Sequence, residues 1–212
     1  DKVGGTCLHR GCIPTKALLH AAEVADAARE GEKVGVRSSL EGIDMAGVNS
    51  YKDGVVTRLH KGLTGLIASR KVTTVEGTGK LTSANTVEVD GTSYTANKAV
   101  VLATGSYSKS LPGLDIDGTR IIASEHALNL DHVPSSVVVL GGGVIGVEFA
   151  SVWKSFGAEV TIVEALPRLV PLEDEALSKQ LERAFRRRKI NFTTGVKFSG
   201  VTQDDDGVTV SL

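Results

Sequence analysis

The sequence contains little cysteine, few aromatic residues and no long apolar run. Its 212 residues include two cysteines, one tryptophan and five prolines, and aromatic residues make up 4%. Two cysteines are too few for a scaffold held together by disulfides. The longest apolar stretches, 99–103 and 137–140, have the length of a strand and are far too short to cross a bilayer. With 24 Lys+Arg against 25 Asp+Glu, the net charge of -1 predicts neither a nucleic-acid nor a membrane partner.

The remaining composition is that of a folded protein. Hydrophobic residues make up 41% of the chain and charged residues 23%, which is typical of a globular protein and argues against disorder. At about 150 residues per domain, the length predicts one to two domains. The chain begins with Asp1 and leads at once into a segment that contains glycines and both cysteines. We therefore expect it to be a fragment of a longer protein.

The two cysteines, Cys7 and Cys12, lie close together at a predicted helix start. Pro14 and the good helix formers of 15–23 predict a helix that begins at Cys12. At a helix N-terminus, the dipole and the unpaired N–H groups favour a thiolate, and Lys16 adds positive charge one turn further on. The loop between the cysteines is too short for a structural disulfide to stabilise the fold much. The pair is therefore predicted to be redox-active.

Two other interpretations of the cysteines stay open. Free cysteines are often buried, so both thiols can be ordinary core residues. Alternatively, Cys7, His9, Cys12 and His20 supply side chains that bind zinc, although they lack the paired short spacings of most zinc sites. We predict no metal site and expect all five histidines to be structural or exposed.

The second half of the chain predicts a dinucleotide-binding unit. Residues 137–140 form a β-branched run that is typical of a parallel strand buried on both faces. The run leads into G-x-G-x-x-G at Gly141, Gly143 and Gly146, and a helical pattern follows. In such a unit the first glycine permits the tight turn, the second admits the pyrophosphate, and the third brings helix and strand together. The phosphates would face the helix N-terminus.

An acidic residue follows the second predicted strand of this unit. The strand covers 159–163 and ends at Glu164, close to the spacing of about 20 residues expected for a ribose-binding acid. A carboxylate there accepts hydrogen bonds from the ribose hydroxyls and repels a 2′-phosphate, so we expect NAD rather than NADP. Arg168 is a cation that would weaken this preference, but we expect it to be an exposed loop charge after Pro167.

The rest of the chain alternates predicted helices and strands, which makes the fold class α/β. Long helices are predicted over 45–70 and 174–189, and 99–103 is predicted to be a further buried strand. The short predicted strands are 72–75, 86–89, 93–95, 191–194, 197–202 and 208–212. Residues 111–113 have the character of a linker, so we place a domain boundary there and expect domains at 1–112 and 113–212.

The segments 4–8 and 11–16, with both cysteines, strongly resemble the redox-active segment of the pyridine nucleotide-disulfide oxidoreductases. The resemblance extends through 103–106, 141–148 and Glu164, and so covers essentially the whole chain. Within the family, the chain is most similar to the branch that oxidises dihydrolipoamide. The resemblance implies FAD/NAD(P)-binding Rossmann-like domains, with the rear part of the FAD domain in 1–112 and an NAD domain, incomplete at its C-terminal end, in 113–212.

The resemblance also implies roles for individual residues. Cys7 would be the interchange thiol that meets the substrate, Cys12 would lie nearest the flavin, and Lys16 would lie beside the flavin and pair with Glu148. The residues implied to contact FAD are Gly79, Thr104, Gly105 and Ser106. Those implied to hold NAD are Gly141, Gly142, Gly143, Val144, Ile145, Gly146, Val147, Glu148 and Glu164, and Phe198 matches a strand position that passes beside the adenine. His9 and Arg10 depart from the Asn-aliphatic pair commoner in the family, a change expected to tune the chemistry.

The implied activity is the oxidation of protein-bound dihydrolipoamide through a Cys7–Cys12 disulfide and FAD, with hydride transfer to NAD. The implied partners are the lipoyl domains of 2-oxo acid dehydrogenase complexes and, in the longer protein, a second identical chain. Alternatives are a glutathione- or mercuric-reductase-like enzyme and a non-catalytic NAD-binding redox sensor or scaffold subunit. The family's first FAD motif and interface domain lie outside these residues, so we expect the chain alone to be inactive. The expected location is the bacterial cytoplasm, or alternatively the mitochondrial matrix.

Overall fold

A computed structural model describes residues 2–212. The α-helices are α1 (Gly5–Arg10), α2 (Cys12–Glu30), α3 (Met45–Ser69), α4 (Ser124–Ala127), α5 (Val144–Phe156) and α6 (Glu175–Arg187), with a 3-10 turn at Gly31–Val34. The strands are β1 (Gly79–Ser83), β2 (Thr86–Val89), β3 (Thr92–Thr95), β4 (Ser136–Leu140), β5 (Glu159–Glu164), β6 (Asn191–Thr194), β7 (Gly200–Gln203) and β8 (Val208–Ser211). None of the helices within 2–212 has both the length and the apolar character needed to cross a membrane.

The predicted dinucleotide unit forms as a parallel sheet with the strand order β4-β5-β6. Helix α5 connects β4 to β5, and α6 connects β5 to β6, which confirms the predicted α/β organisation. Val139 pairs with Ile162 in register, and the Ile162 side chain is fully buried. Burial of β4 on both faces is wrong, because Val138 is 45% exposed while Val137 and Val139 pack against the core. The sheet therefore has one packed face and one open face at β4.

One hydrophobic core joins the two halves of the chain. Leu18 and Ala22 of α2 lie in the same cluster as Phe149 and Trp153 of α5, and Met45 at the start of α3 joins them. These side chains lie at helical spacings, so each helix buries one stripe against its neighbours. Both predicted domains thus contribute to a shared core, and the boundary after residue 112 stays a prediction.

Helix α3 is anchored to the segment after α4 by two polar side chains, one turn apart. The buried Lys52 donates from Nζ to the carbonyl of Leu128 at 2.6 Å and to the side chain of Asn129 at 3.0 Å. The side-chain amide of Asn49 donates to the carbonyl of Leu130 at 2.9 Å. A buried ammonium is costly without such acceptors. These contacts fix α3 against the chain that leads into the parallel sheet.

Two predicted strands between α3 and α4 are wrong. Residues 72–75 are irregular, and 99–103 are irregular and mostly exposed, with Val101 at 83% and Leu102 at 71%. A strand needs a neighbour that satisfies its N–H and C=O groups, and in 2–212 the sheets contain no strand paired with either segment. Only β1, β2 and β3 form there, as an antiparallel meander with mostly exposed side chains.

Candidate dithiol and nucleotide site

The two cysteines lie at the junction of α1 and α2. Cys7 is in α1, Gly11 separates the helices, and Cys12 is the first residue of α2, as predicted. Both thiols are free and exposed, so burial as ordinary core residues is wrong. The thiols lie within hydrogen-bond reach, and this bond to Cys12 raises the pKa of Cys7 above its usual value. The arrangement is an adjacent pair of thiols that is open to solvent.

Local backbone geometry holds this dithiol in place. Gly4 has a φ of +101°, and a Cβ there would lie 2.3 Å from a side-chain methyl of Leu8, the buried residue of α1. Only glycine fits so close a contact at that φ. The hydroxyl of Thr15 donates to the carbonyl of Gly11 at 2.7 Å, which ties the first turn of α2 to the connection between the helices.

No set of three or more His, Cys, Asp or Glu side chains that could bind a metal occurs between residues 2 and 212. The zinc interpretation of Cys7, His9, Cys12 and His20 is therefore wrong. His9 contacts the carbonyl of Val3 through Nε2 at 2.9 Å and packs its ring edge-on against His60. His20 instead lies beside Glu23 on the exposed surface of α2. Both histidines thus have structural contacts.

Helices α2 and α5 run parallel, with their N-termini at the same end. Near the N-termini, Lys16 contacts Glu148 at 2.5 Å, which is the pairing that the family resemblance implies. Further along both helices, the buried Ser155 donates to the carboxylate of Asp26 at 2.6 Å. The parallel alignment therefore places Cys12 at the same end of the helix pair as the glycine turn that precedes α5.

The glycine turn has the geometry that a nucleotide phosphate needs. Gly141 adopts a φ of +110° directly after β4. A Cβ on Gly146 would lie 2.0 Å from the carbonyl oxygen of Gly141, so only glycine permits this approach of α5 to the strand. Among residues 2–212, no side chain caps the N-terminus of α5 at Gly143, so its first N–H groups are available to an anion. These residues fit a bound dinucleotide.

Glu164 at the end of β5 is tied to this turn. Its buried carboxylate accepts hydrogen bonds from the backbone N–H of Gly142 at 2.6 Å and of Leu166 at 2.7 Å. Each carboxylate oxygen has a second lone pair, so the group retains capacity for a hydroxyl donor. Glu164 thus supports the turn itself, a role that the sequence analysis missed.

Arg168 is not the exposed loop charge that the sequence suggested. Its guanidinium donates to the carbonyls of Pro171 at 2.8 Å and Glu173 at 3.1 Å. The Nε atom is buried without a partner among the described residues. Because its guanidinium hydrogen-bonds to backbone carbonyls of the same loop, the Arg168 side chain stabilises that loop.

The structure brings part of the predicted flavin site to the dithiol. Ser106 donates through Oγ to the hydroxyl of Thr6 at 3.2 Å, and that hydroxyl in turn contacts the carbonyl of Ser106 at 3.4 Å. Thr104 and Gly105 are exposed in the same segment. Thr6 precedes Cys7, so this contact places the segment 104–106 beside the dithiol. Thr6 was missed, although its position next to Cys7 was the available signal.

Two other predicted cofactor residues lie elsewhere. Gly79 begins β1 and pairs with Val89 in the exposed meander. Phe198 is not in a strand, because β7 begins only at Gly200. The prediction that 197–202 is one strand is wrong at its first three residues. Their roles beside a cofactor stay predictions.

Two cavities of the structure lie away from the dithiol. One has a volume of about 590 Å³ and is lined by Arg29, Met45 and Phe156, at the end of α2 and α5 opposite Cys12. The other, of about 280 Å³, includes Asn191 at the start of β6, on the edge of the sheet opposite the glycine turn. An open dinucleotide site at the carboxyl ends of parallel strands does not require an enclosed cavity.

Fold and site together define a Rossmann-type nucleotide-binding protein with an exposed pair of adjacent thiols. The chain belongs to the pyridine nucleotide-disulphide oxidoreductase family, whose model matches residues 2–212. Membership implies the cofactors FAD and NAD(P), as the sequence predicted.

Several curated proteins are similar to this chain. It is 41% identical to dihydrolipoyl dehydrogenase of Dictyostelium discoideum, covering 100% of this chain and 44% of that protein. It is 36% identical to dihydrolipoyl dehydrogenase of Bacillus subtilis, covering 99% of this chain and 47% of that protein. It is 40% identical to leghemoglobin reductase of Vigna unguiculata, covering 99% and 41% respectively. The chain thus spans less than half the length of these relatives.

Solved structures show the same fold. LpdA from Mycobacterium tuberculosis matches 100% of this chain and 47% of its own, with a TM-score of 0.85 and 25% identity. The Cu(II) complex of the HOCl-induced flavoprotein disulfide reductase RclA from Escherichia coli matches 99% of this chain and 45% of its own, with a TM-score of 0.78 and 26% identity. Both similarities confirm the predicted fold class.

Proposed function

We propose that this chain carries the dithiol and the nucleotide-binding unit of an enzyme that oxidises dihydrolipoamide with NAD. The observation that carries the proposal is the exposed Cys7–Cys12 pair at the same end of α2 and α5 as the glycine turn. Relatives named dihydrolipoyl dehydrogenase support the choice of substrate.

The residues that would hold the cofactors follow from their positions. Thr104, Gly105 and Ser106 would contact FAD beside the dithiol, and Lys16 would lie near its ring. The turn from Gly141 to Glu148, together with Glu164, would hold NAD. When bound, FAD supplies the two-electron transfer that connects the dithiol with NAD.

The chain's own thiols perform the exchange with substrate. A thiolate of dihydrolipoamide attacks Cys7 in the oxidised Cys7–Cys12 pair, forming a mixed disulfide and releasing Cys12 as a thiolate. The helix N-terminus and nearby Lys16 stabilise that negative charge. The second lipoyl thiolate then attacks the lipoyl sulfur of the mixed disulfide, which releases lipoamide and leaves Cys7 reduced. Two electrons reach the cysteine pair, and two protons leave the substrate.

The proposed partners follow from this chemistry. The substrate would be a lipoyl group on a 2-oxo acid dehydrogenase complex, and the longer protein would form a homodimer. The proposed location is the bacterial cytoplasm, with the mitochondrial matrix as the alternative. Similar proteins occur in Bacillus subtilis and, under a mitochondrial name, in Dictyostelium discoideum.

Thiol exchange by the full chain tests the proposal without requiring turnover. The oxidised chain is mixed with dihydrolipoamide, quenched with an alkylating agent and analysed by mass spectrometry for reduced Cys7 and Cys12. We expect the wild type to be reduced and to release lipoamide, whereas Cys7→Ser and Cys12→Ser release none. Leu172→Ala, at an exposed loop residue, is the matched control and should behave like the wild type. A wild type that does not exchange would overturn the proposal.

A second candidate is a related disulfide or metal-ion reductase. The similarity to RclA, a flavoprotein disulfide reductase solved with Cu(II), favours it. Calorimetric titration with NADH and NADPH separates the two, because the Glu164 carboxylate beside the glycine turn repels a 2′-phosphate. We expect tighter binding of NADH, with a smaller difference in Glu164→Gln. Preference for NADPH, together with faster exchange with glutathione disulfide than with lipoamide, would favour the second candidate.

A further inference from the structure

Val170 has a backbone conformation that its sequence disfavours. Its φ is +43°, in the left-handed region, although valine is β-branched and the next residue is Pro171. A β-branched side chain and a following proline each disfavour the left-handed region of the backbone. The residue is also buried, at 8% exposure, so its conformation is set by contacts with the surrounding protein. Such strain persists only where surrounding contacts require it, and it clusters at functional sites.

The contacts that hold Val170 come from two directions. Its N–H donates to the carbonyl of Gly142 at 2.7 Å. Its own carbonyl accepts from the N–H of Glu173 at 3.0 Å and from the hydroxyl of Ser178, a fully buried residue of α6, at 3.4 Å. The strained residue therefore connects the glycine turn with the start of α6.

Contacts with three neighbouring residues fix the position of Gly142. Its N–H donates to Glu164 at 2.6 Å, and its carbonyl accepts from Val170 at 2.7 Å. A Cβ on Gly142 would lie 2.5 Å from a methyl of the fully buried Leu169. The N–H and the carbonyl of Gly142 both have partners, and the Leu169 side chain occupies the space where a Cβ would lie. Contacts within the chain therefore fix the middle of the turn without a ligand.

We propose that Val170 is a positioning residue for nucleotide binding: its left-handed backbone directs an N–H at Gly142 and so orders the glycine turn before the nucleotide arrives. The inference rests on the proposed role of the turn in holding NAD. Ordering a binding loop in advance increases affinity, because the loop loses less conformational freedom on binding.

Substitutions at Val170 distinguish the effect of its N–H hydrogen bond to Gly142 from the effect of its side chain. Val170→Pro removes the N–H and forbids a positive φ, whereas Val170→Gly keeps the N–H and accepts that φ without strain. By calorimetry on the full chain, we expect NADH affinity to fall by about tenfold in the proline variant and by less than about threefold in the glycine variant. Leu172→Gly, in the same loop but 96% exposed, is the matched control for added flexibility and should bind like the wild type.

Amide hydrogen exchange at Gly142 supplies a readout that does not require a cofactor. We expect slow exchange in the wild type and in Val170→Gly, and faster exchange in Val170→Pro, at similar thermal stability of the parallel sheet. Equal NADH affinity in the wild type and Val170→Pro would overturn the inference, and so would an equal loss in the glycine and proline variants. A wild type with slow Gly142 exchange but no NADH affinity would instead overturn the proposed nucleotide site, and the inference with it.

Discussion

Two apolar runs of similar composition adopt different structures in this protein. Residues 137–140 form β4, where Val139 pairs with Ile162 in a packed parallel sheet. Residues 99–103 are irregular and mostly exposed. Each run is followed closely by glycine in the sequence, and both sequences favour a strand. The difference teaches that the hydrophobic pattern of a segment specifies which face a strand can bury. Whether the strand forms depends on a neighbouring strand that pairs with its N–H and C=O groups.

The largest expected effect contrasts a buried side chain of the core against which β4 packs with an exposed side chain of 99–103. Trp153 is 2% exposed and packs edge-on against Phe156, whereas Leu102 is 71% exposed. Trp153→Ala removes a large buried ring and should lower the free energy of unfolding by about 3–5 kcal/mol. Leu102→Ala should change it by less than about 0.5 kcal/mol. Urea denaturation measures both, and a large loss in Leu102→Ala would mean that 99–103 is packed after all.

A second prediction concerns two glycines in helices. Gly146→Ala places a methyl against the carbonyl of Gly141, and we expect a loss of about 1–3 kcal/mol in stability together with weakened NADH binding. Gly65→Ala in α3 meets open space and should stabilise the protein by up to about 1 kcal/mol through better helix propensity. Thermal unfolding and calorimetry check both, and tolerance of Gly146→Ala would contradict the close approach of α5 to β4.

The anchoring of α3 to the segment after α4 can be tested at Lys52. Lys52→Met fills the same space but leaves the buried carbonyl of Leu128 without its donor, so we expect a loss of about 1–3 kcal/mol. Lys33→Met removes only an exposed contact with Glu30 and should cost less than about 1 kcal/mol. Denaturant unfolding distinguishes them, and equal small effects would show that Lys52 does not hold α3.

The smallest expected effect is kinetic and concerns Cys7. Its hydrogen bond with Cys12 raises its pKa, so Cys7 has less of the reactive thiolate at neutral pH than a free thiol. Iodoacetamide should therefore alkylate Cys7 a few-fold faster in Cys12→Ala than in the reduced wild type, as measured by mass spectrometry at pH 7. The raised pKa also means that this bond stabilises the fold below the pKa of an unfolded thiol and loses that effect as pH rises through the raised value. Equal alkylation rates would contradict the thiol contact.

Much of the site was predictable because its signals are local. The helix start at Cys12, the order of strand, glycine turn and helix, and the acid at Glu164 each depend on residues close together in sequence. The pairing of Lys16 with Glu148 was predictable only through the family resemblance, since these residues are 132 positions apart. The position of Phe198 outside a strand was not predictable, because β7 begins where its partner β8 ends.

The sequence by itself determined the βαβ unit, the glycine turn and the dithiol at a helix start, because backbone propensity and hydrophobic periodicity act over one or two turns of chain. Only the tertiary structure decided that 99–103 stays unpaired, that α2 and α5 run parallel, and that Val170 accepts a left-handed backbone. Each of these depends on contacts between distant segments, whose combined free energy outweighs the local preference of a single residue.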